Sequence, residues 1–161
     1  RDLHTAYRRQ RQMCIRDRSY IETYFARYPG VKTYMAETRE LAKKQGYVET
    51  VFGRRLSIPE INSSNHQRRQ YAERTAINAP MQGTAADLIK IAMVKVDEWI
   101  SGSGLEVKML MQVHDELVFE MAEGCVEEAQ VAIVDAMTQV AQLRVPLLVD
   151  VGVGKNWDEA H

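Results

Sequence analysis

Apolar positions recur at helical spacing from about Ser19 to Gln45, where Ile21, Tyr24, Phe25, Tyr28, Val31, Met35 and Leu41 fall on a common stripe. Pro29-Gly30 interrupts the stripe and predicts two helices there, and Gly46 is a natural stop. The period then shortens. Tyr47-Val48-Glu49-Thr50-Val51 and Leu56-Ser57-Ile58 flank Phe52-Gly53-Arg54-Arg55, a hairpin pattern in which Gly53 supplies the turn. Asn62-Ser63-Ser64-Asn65 is polar, and either Ser64 or Asn65 would cap the next helix. That helix spans about Gln67 to Ile100, with a kink or break expected at Pro80, where a backbone donor is lost. Ser101-Gly102-Ser103-Gly104 reads as a short flexible loop.

Two apolar, strand-like runs follow: Lys108-Met109-Leu110-Met111-Gln112-Val113 and Leu117-Val118-Phe119-Glu120, joined at residues 114–116. After Gly124 an amphipathic helix is expected from about Val126 to Leu143, with Val126, Ala129, Ile133, Ala136, Met137 and Val140 on one stripe. Pro146 ends that connection, and Leu147-Leu148-Val149-Asp150-Val151 reads as a returning strand. Strand, strand, helix, strand implies an α+β layer, with helices packed on one face of an antiparallel sheet.

At 161 residues and 45% hydrophobic, the chain can bury a core and suggests one domain or parts of two. Eight Met against three Phe imply a pliable aliphatic interior. No run of about 18 apolar residues is present, so no membrane span is expected, and the amino terminus lacks a secretory pattern. Cys14 and Cys125 form neither a disulfide framework nor a metal spacing, which fits a reducing cytoplasm. The net charge of −1 conceals an asymmetry: residues 1–95 carry 18 Lys/Arg against 9 Asp/Glu, and residues 96–161 carry 3 against 13. Such a split suits a protein that grips a polyanion with one face and holds cations with another, though solvated charged faces give the same pattern.

The corner His114-Asp115-Glu116 carries the sharpest chemical signal. A turn between strands can push a carboxylate out of a sheet towards a divalent cation, and a hard ion such as Mg²⁺ takes one or two protein oxygens and completes its shell with water and phosphate. In a regular strand Asp115 and Glu116 would point to opposite faces, so both reach one site only if the chain turns there. A solvated polar turn is the plain alternative. Arg74, Asn78 and Gln82 stand four residues apart, which on one helix makes a stripe of hydrogen-bond donors. The minor groove offers acceptors at A N3 and T O2 for either orientation of an A·T pair, so such a stripe senses duplex shape without reading sequence. A solvated helix face explains the stripe too. Gly83, Thr84, Ala85 and Ala86 would let a backbone or a nucleic acid approach closely. Arg54, Arg55, Arg68 and Arg69 add charge for phosphate contacts, or are ordinary surface arginines. Asp87, among apolar residues, reads as a capping or structural carboxylate, and His4, His66 and His161 lack metal-ligand spacing.

Gly53-Arg54-Arg55, the run Glu73-Arg74-Thr75-Ala76-Ile77-Asn78-Ala79-Pro80-Met81-Gln82-Gly83-Thr84-Ala85-Ala86-Asp87, and Gln112-Val113-His114-Asp115-Glu116 together resemble the family A DNA polymerases of bacteria. Order and separation agree as well, through to Asn156-Trp157-Asp158-Glu159-Ala160-His161, so the resemblance covers about residues 19–161. It implies that residues 19–82 form the carboxy-terminal part of a mainly helical fingers portion with a β-hairpin. Residues 83–161 would form the carboxy-terminal part of a palm, an antiparallel sheet packed on helices. Asp115 would be a catalytic Mg²⁺ ligand with Glu116 in support, in a site that holds two ions in the complete enzyme. His114 would lie near the primer terminus, and Arg74, Asn78 and Gln82 would contact the minor groove.

The implied partners are primer–template DNA and a deoxynucleoside triphosphate, and the implied state is a monomer acting as part of a longer, cytoplasmic polymerase chain in replication or repair. The chain begins after the place where the family keeps its other catalytic Asp and its nucleotide-binding fingers helix, so the chain alone is expected to be inactive. Residues 1–18, notably Gln10-Arg11-Gln12-Met13-Cys14-Ile15-Arg16-Asp17-Arg18, do not fit the resemblance and read as a foreign segment. A non-catalytic duplex DNA-binding module is the alternative class.

Overall fold

A computed structural model of the chain describes residues 19–160. The amino-terminal segment read above as foreign lies outside them. Within the described residues the fold is α+β and divides into two compact units. The first takes residues up to Glu49 together with Arg55–Pro80, and the second takes Thr50–Arg54 together with the chain from Met81 onward.

In the first unit the chain is helical over residues 19–27 (α1). It leaves helical space at Tyr28 (φ −124°, ψ 66°) and re-enters with a proline at the start of α2, Pro29–Gln45. A proline there loses no hydrogen bond, because the first-turn N–H groups have no intrahelical acceptor. Gly46 ends α2 at φ 79°, a conformation that favours glycine, and its N–H donates to the Ala42 carbonyl at 2.8 Å. Strands β1 (Tyr47–Glu49) and β2 (Arg55–Ser57) pair antiparallel, Val48 opposite Leu56. Asn65 caps α3, His66–Ser103: its Oδ1 accepts from the N–H groups of Gln67 (3.0 Å) and Arg68 (3.2 Å). The core is Ala42, Val48, Ile58, Ile61, Ala72 and Ala76, with Ala79 packed against it. Alanines on the helices leave room for Ile61, which is 2% exposed and whose burial is worth about 1.5–3 kcal/mol. The Tyr34 hydroxyl ties α2 to α3 by donating to the Ile77 carbonyl at 2.9 Å. The helical stripe read from sequence is only partly a core stripe: Ile21, Tyr24, Tyr28, Val31 and Leu41 are exposed.

Of the kink or break expected at Pro80, the break does not occur. Helix α3 runs without interruption for 38 residues, with Pro80 inside it. An interior proline costs about 3 kcal/mol or more, but α3 is anchored on both sides, by Ala72 and Ala76 in the first core and by Val96 in the second. Ser101, Gly102 and Ser103 are the last residues of α3 rather than a loop, and Gly104, at φ 69°, marks its end.

In the second unit β3 (Val107–Val113) and β4 (Glu116–Met121) form an antiparallel pair, followed by α4 (Val126–Thr138) and a final turn of helix, α5 (Trp157–Ala160). Val96, Val107, Ala129 and Ile133 are buried together, with Trp99, Ile100, Phe119, Met121, Ala136 and Met137 packed around them. Helices therefore cover one face of the sheet. Two further expectations fail. Helix α4 stops at Thr138, and the Lys95 ammonium caps the turn beyond it, donating to the Gln139 carbonyl at 2.8 Å. Leu147–Val151 is not a strand. A run of apolar and β-branched residues satisfies its backbone as a strand only beside a partner edge, and each sheet among the described residues has two strands, neither of them this segment.

The β3–β4 register shifts once. Met109 pairs with Phe119 and Met111 with Val118, so Leu110 is the extra residue of a bulge. Before the bulge, Val107 and Met109 share the face of Met121 and Phe119, which is the core face. A one-residue slip moves every later side chain to the other face. Beyond Leu110, Met111 and Val113 consequently stand opposite Val118 and Glu116, away from that core, and Gln112 joins Leu117 on the core side.

Candidate functional site

The β3–β4 ladder closes at Val113 opposite Glu116, leaving His114-Asp115 as a two-residue turn. Such turns require a positive φ, for which glycine is the usual choice. Here it is His114, at φ 53°, the one non-glycine with positive φ among the described residues. The side-chain amide of Gln112 braces the turn by donating to the His114 carbonyl at 2.9 Å. A side chain held in the left-handed region costs of order 1–3 kcal/mol and persists where its surroundings impose it. Gln112 belongs to the motif, and its bracing role emerges only with the turn formed. Its signal was an amide two residues before a turn, within reach of the turn's own backbone.

His114 and Asp115 are both exposed at the tip, whereas Glu116 is half-buried as the first residue of β4. The turn thus separates two adjacent carboxylates, one thrown out of the sheet and one within the ladder. Among the described residues no three His, Cys, Asp or Glu side chains are grouped to hold a metal ion. The turn therefore offers an open set of hard oxygens, not a closed cage. That donor set fits Mg²⁺, which keeps several waters and takes one or two carboxylates plus phosphate oxygens.

Of the donor stripe, Arg74 and Asn78 are exposed one turn apart on α3 in the first unit, and Gln82 is exposed on α3 in the second. The four arginines differ in how far they are committed. Arg68 is exposed, with a long 3.9 Å ion pair to Glu60. Arg69 is half-buried and donates through Nη1 to the Ser63 carbonyl at 2.9 Å. Arg55 donates through Nε to Glu49 at 2.7 Å and stacks on the Tyr47 ring, 4.6 Å from its centroid. That hydrogen bond to Glu49, followed by the charges of Tyr47 and Glu49, holds its guanidinium above its ordinary pKa.

Arg54 is the most committed. It lies in the loop 50–54 that joins β1 to β2, and it donates through Nε to Asp87 Oδ1 and through Nη2 to the Gly83 carbonyl, each at 2.8 Å. Asp87 is a structural carboxylate, as its apolar surroundings suggested. The close approach expected at Gly83 is made by the protein's own loop: a Cβ on Gly83 would sit 2.6 Å from Thr50 Cγ2. The Val51 N–H adds a bond to Thr84 Oγ1 at 3.1 Å. Thr50 carries no signal of this role in the sequence, because its meeting with Gly83 depends on a loop and a helix about thirty residues apart.

Residues 10–159 match DNA polymerase family A, a span that takes in residues 10–18. The chain is 59% identical over 143 residues to DNA polymerase I of Pseudomonas aeruginosa, covering 89% of this chain and 16% of that protein. It is 49% identical over 148 residues to DNA polymerase I of Rhizobium leguminosarum, covering 88% of this chain and 15% of that one. A solved structure, the POL domain of Pol1 from M. smegmatis in complex with DNA primer-template and dNTP, superposes with a TM-score of 0.87 at 48% identity, over 89% of this chain and 25% of that one. The chain thus spans about 16% of the length of the curated relatives it matches. No helix among the described residues is long and apolar enough to cross a membrane.

Proposed function

Since the chain belongs to DNA polymerase family A, we propose that it forms part of the nucleotidyl-transfer site of a DNA-directed DNA polymerase. Residues 19–82 would be the later part of the fingers and residues 83–161 the carboxy-terminal part of the palm. The observation that carries this reading is the turn at His114-Asp115, which exposes the Asp115 carboxylate at the end of a two-stranded ribbon inside a family-matching chain. In the reaction, the primer 3′-hydroxyl oxygen bonds to the α-phosphorus of a deoxynucleoside triphosphate as the bond to the bridging oxygen breaks and pyrophosphate leaves.

Asp115, with Glu116 in support, would hold Mg²⁺, which when bound supplies charge neutralisation and a lowered pKa for the attacking hydroxyl. The chain's own contribution is positioning. The Gln112 amide holds the turn that aims Asp115, and His114 at the same tip would lie near the primer terminus. Arg74, Asn78 and Gln82 would donate to minor-groove acceptors that are alike for both orientations of an A·T pair. Arg55, Arg68 and Arg69 remain for phosphate oxygens, while Arg54 is occupied by Asp87 and Gly83. Cytoplasmic location and action as a monomer within a longer chain belong to the same proposal.

The test is Asp115→Ala in a full-length polymerase carrying these residues. Loss of several kcal/mol of charge stabilisation should lower primer extension by about a thousandfold or more. Folding stability should stay within about 0.5 kcal/mol, because the side chain is exposed, and primer–template affinity should stay nearly unchanged. Extension at the parental rate would refute the assignment.

A further inference from the structure

We propose that Arg54 and Asp87 are positioning residues for primer–template binding, acting through the turn of α3 that carries Gln82. This rests on the function proposed above. The loop 50–54 is fastened to α3 at four places within five residues of Gln82. The Arg54 guanidinium grips both the Gly83 carbonyl and Asp87, Val51 N–H bonds Thr84, and Thr50 seats its methyl against the bare Cα of Gly83. The loop is itself rigid: Thr50 N–H donates to the Arg54 carbonyl (2.9 Å), Gly53 N–H to the Thr50 carbonyl (2.9 Å) and Arg54 N–H to Thr50 Oγ1 (3.2 Å). Asp87 is only 14% exposed, and its Oδ2 is buried with no protein hydrogen bond, so Arg54 is what compensates that carboxylate. The grip begins one residue beyond Pro80-Met81-Gln82, just past the point where α3 lacks the backbone donor of Pro80. The structure thus gives Arg54 a different task from phosphate binding. It splints the helix turn from which Gln82 projects.

The two tasks predict opposite signs. In a full-length polymerase carrying this chain, primer–template Kd is measured at several salt concentrations for the parent, Arg54→Ala, Arg54→Lys, Asp87→Ala and the Arg54→Ala/Asp87→Ala double variant. The splint predicts that both alanine variants weaken binding about fivefold, the loss expected for one neutral hydrogen bond such as that of the Gln82 amide. The double variant should be no worse than either single one, and the salt slope should not change. Arg54→Lys should also weaken binding, because an ammonium keeps the charge but not the fork that spans two acceptors. Amide exchange at Val51 should quicken in each variant.

A phosphate ligand would instead lower the salt slope by about 0.9 in Arg54→Ala, leave Arg54→Lys near parental, and make Asp87→Ala bind tighter; that result overturns the inference. Lowered stability with unchanged Kd and KM for DNA overturns it too, since the pair would then be only a structural tie. A parent protein that fails to bind primer–template would sink the proposed function itself, and slow Val51 exchange in that protein would show the splint intact without the role assigned to it.

Discussion

Gly83→Ala should change sign with the residue at position 50. On the parental background the new methyl carbon would lie 2.6 Å from Thr50 Cγ2 and 3.5 Å from Arg54 Nη2. Thr50 cannot swing clear easily, because its N–H, carbonyl and hydroxyl are all engaged within the loop. Forcing a methyl into such a contact costs about 1–3 kcal/mol. Against this, replacing an interior helical glycine by alanine gains about 1 kcal/mol. The net expectation is a loss of about 1 kcal/mol, which at a urea dependence of about 2 kcal/mol per molar lowers the unfolding midpoint by about 0.5 M. Thr50→Ser removes the offending carbon and keeps the hydroxyl that Arg54 N–H uses. On that background Gly83→Ala should raise the midpoint by about 0.5 M, a coupling between the two sites of about 2 kcal/mol. The assay is urea unfolding of the parent, both single variants and the double variant. Equal stabilisation by Gly83→Ala on both backgrounds would show that the loop does not press on α3 as described.

Three further outcomes are expected. Asn65→Ala removes the oxygen that accepts from Gln67 and Arg68 N–H, so it should cost about 1 kcal/mol and lower the melting temperature by about 2–4 °C; an unchanged melting temperature would mean the cap is idle. His114→Gly relieves the positive φ and should stabilise the fold by up to about 1 kcal/mol while slowing primer extension in the complete polymerase. A variant that is less stable than the parent by calorimetry would contradict the strained turn. Gln112→Leu keeps the side-chain bulk but loses the bond to the His114 carbonyl, so it should slow extension more than it weakens DNA binding; parental kcat would refute the bracing role.

Local chemistry was legible wherever a signal and its effect lie within a turn or so of each other. Pro29 starts α2, Gly46 ends it in the left-handed region, Asn65 caps α3, and residues 114–115 form the corner between strands. Each follows from backbone groups that only nearby residues can satisfy. Misreadings occurred where the deciding atoms are remote. Pro80 was read as a kink or break because its own ring and missing donor argue for one, yet the cores on either side keep the helix unbroken. Leu147–Val151 has a strand's apolar composition, but composition supplies no neighbouring edge. The bulge at Leu110 leaves no mark in composition, though it decides which face Met111 and Val113 occupy.

The amino-acid sequence by itself determined the family, the α+β class and the carboxylate at the turn, because motif order and short-range hydrogen bonding are written in neighbouring residues. Only the tertiary structure decided what Arg54 does. A guanidinium on a loop is equally suited to phosphate, solvent or an internal carboxylate, and the choice fell to Asp87 and Gly83 because folding brings them within 2.8 Å and leaves that carboxylate with no other partner for its charge.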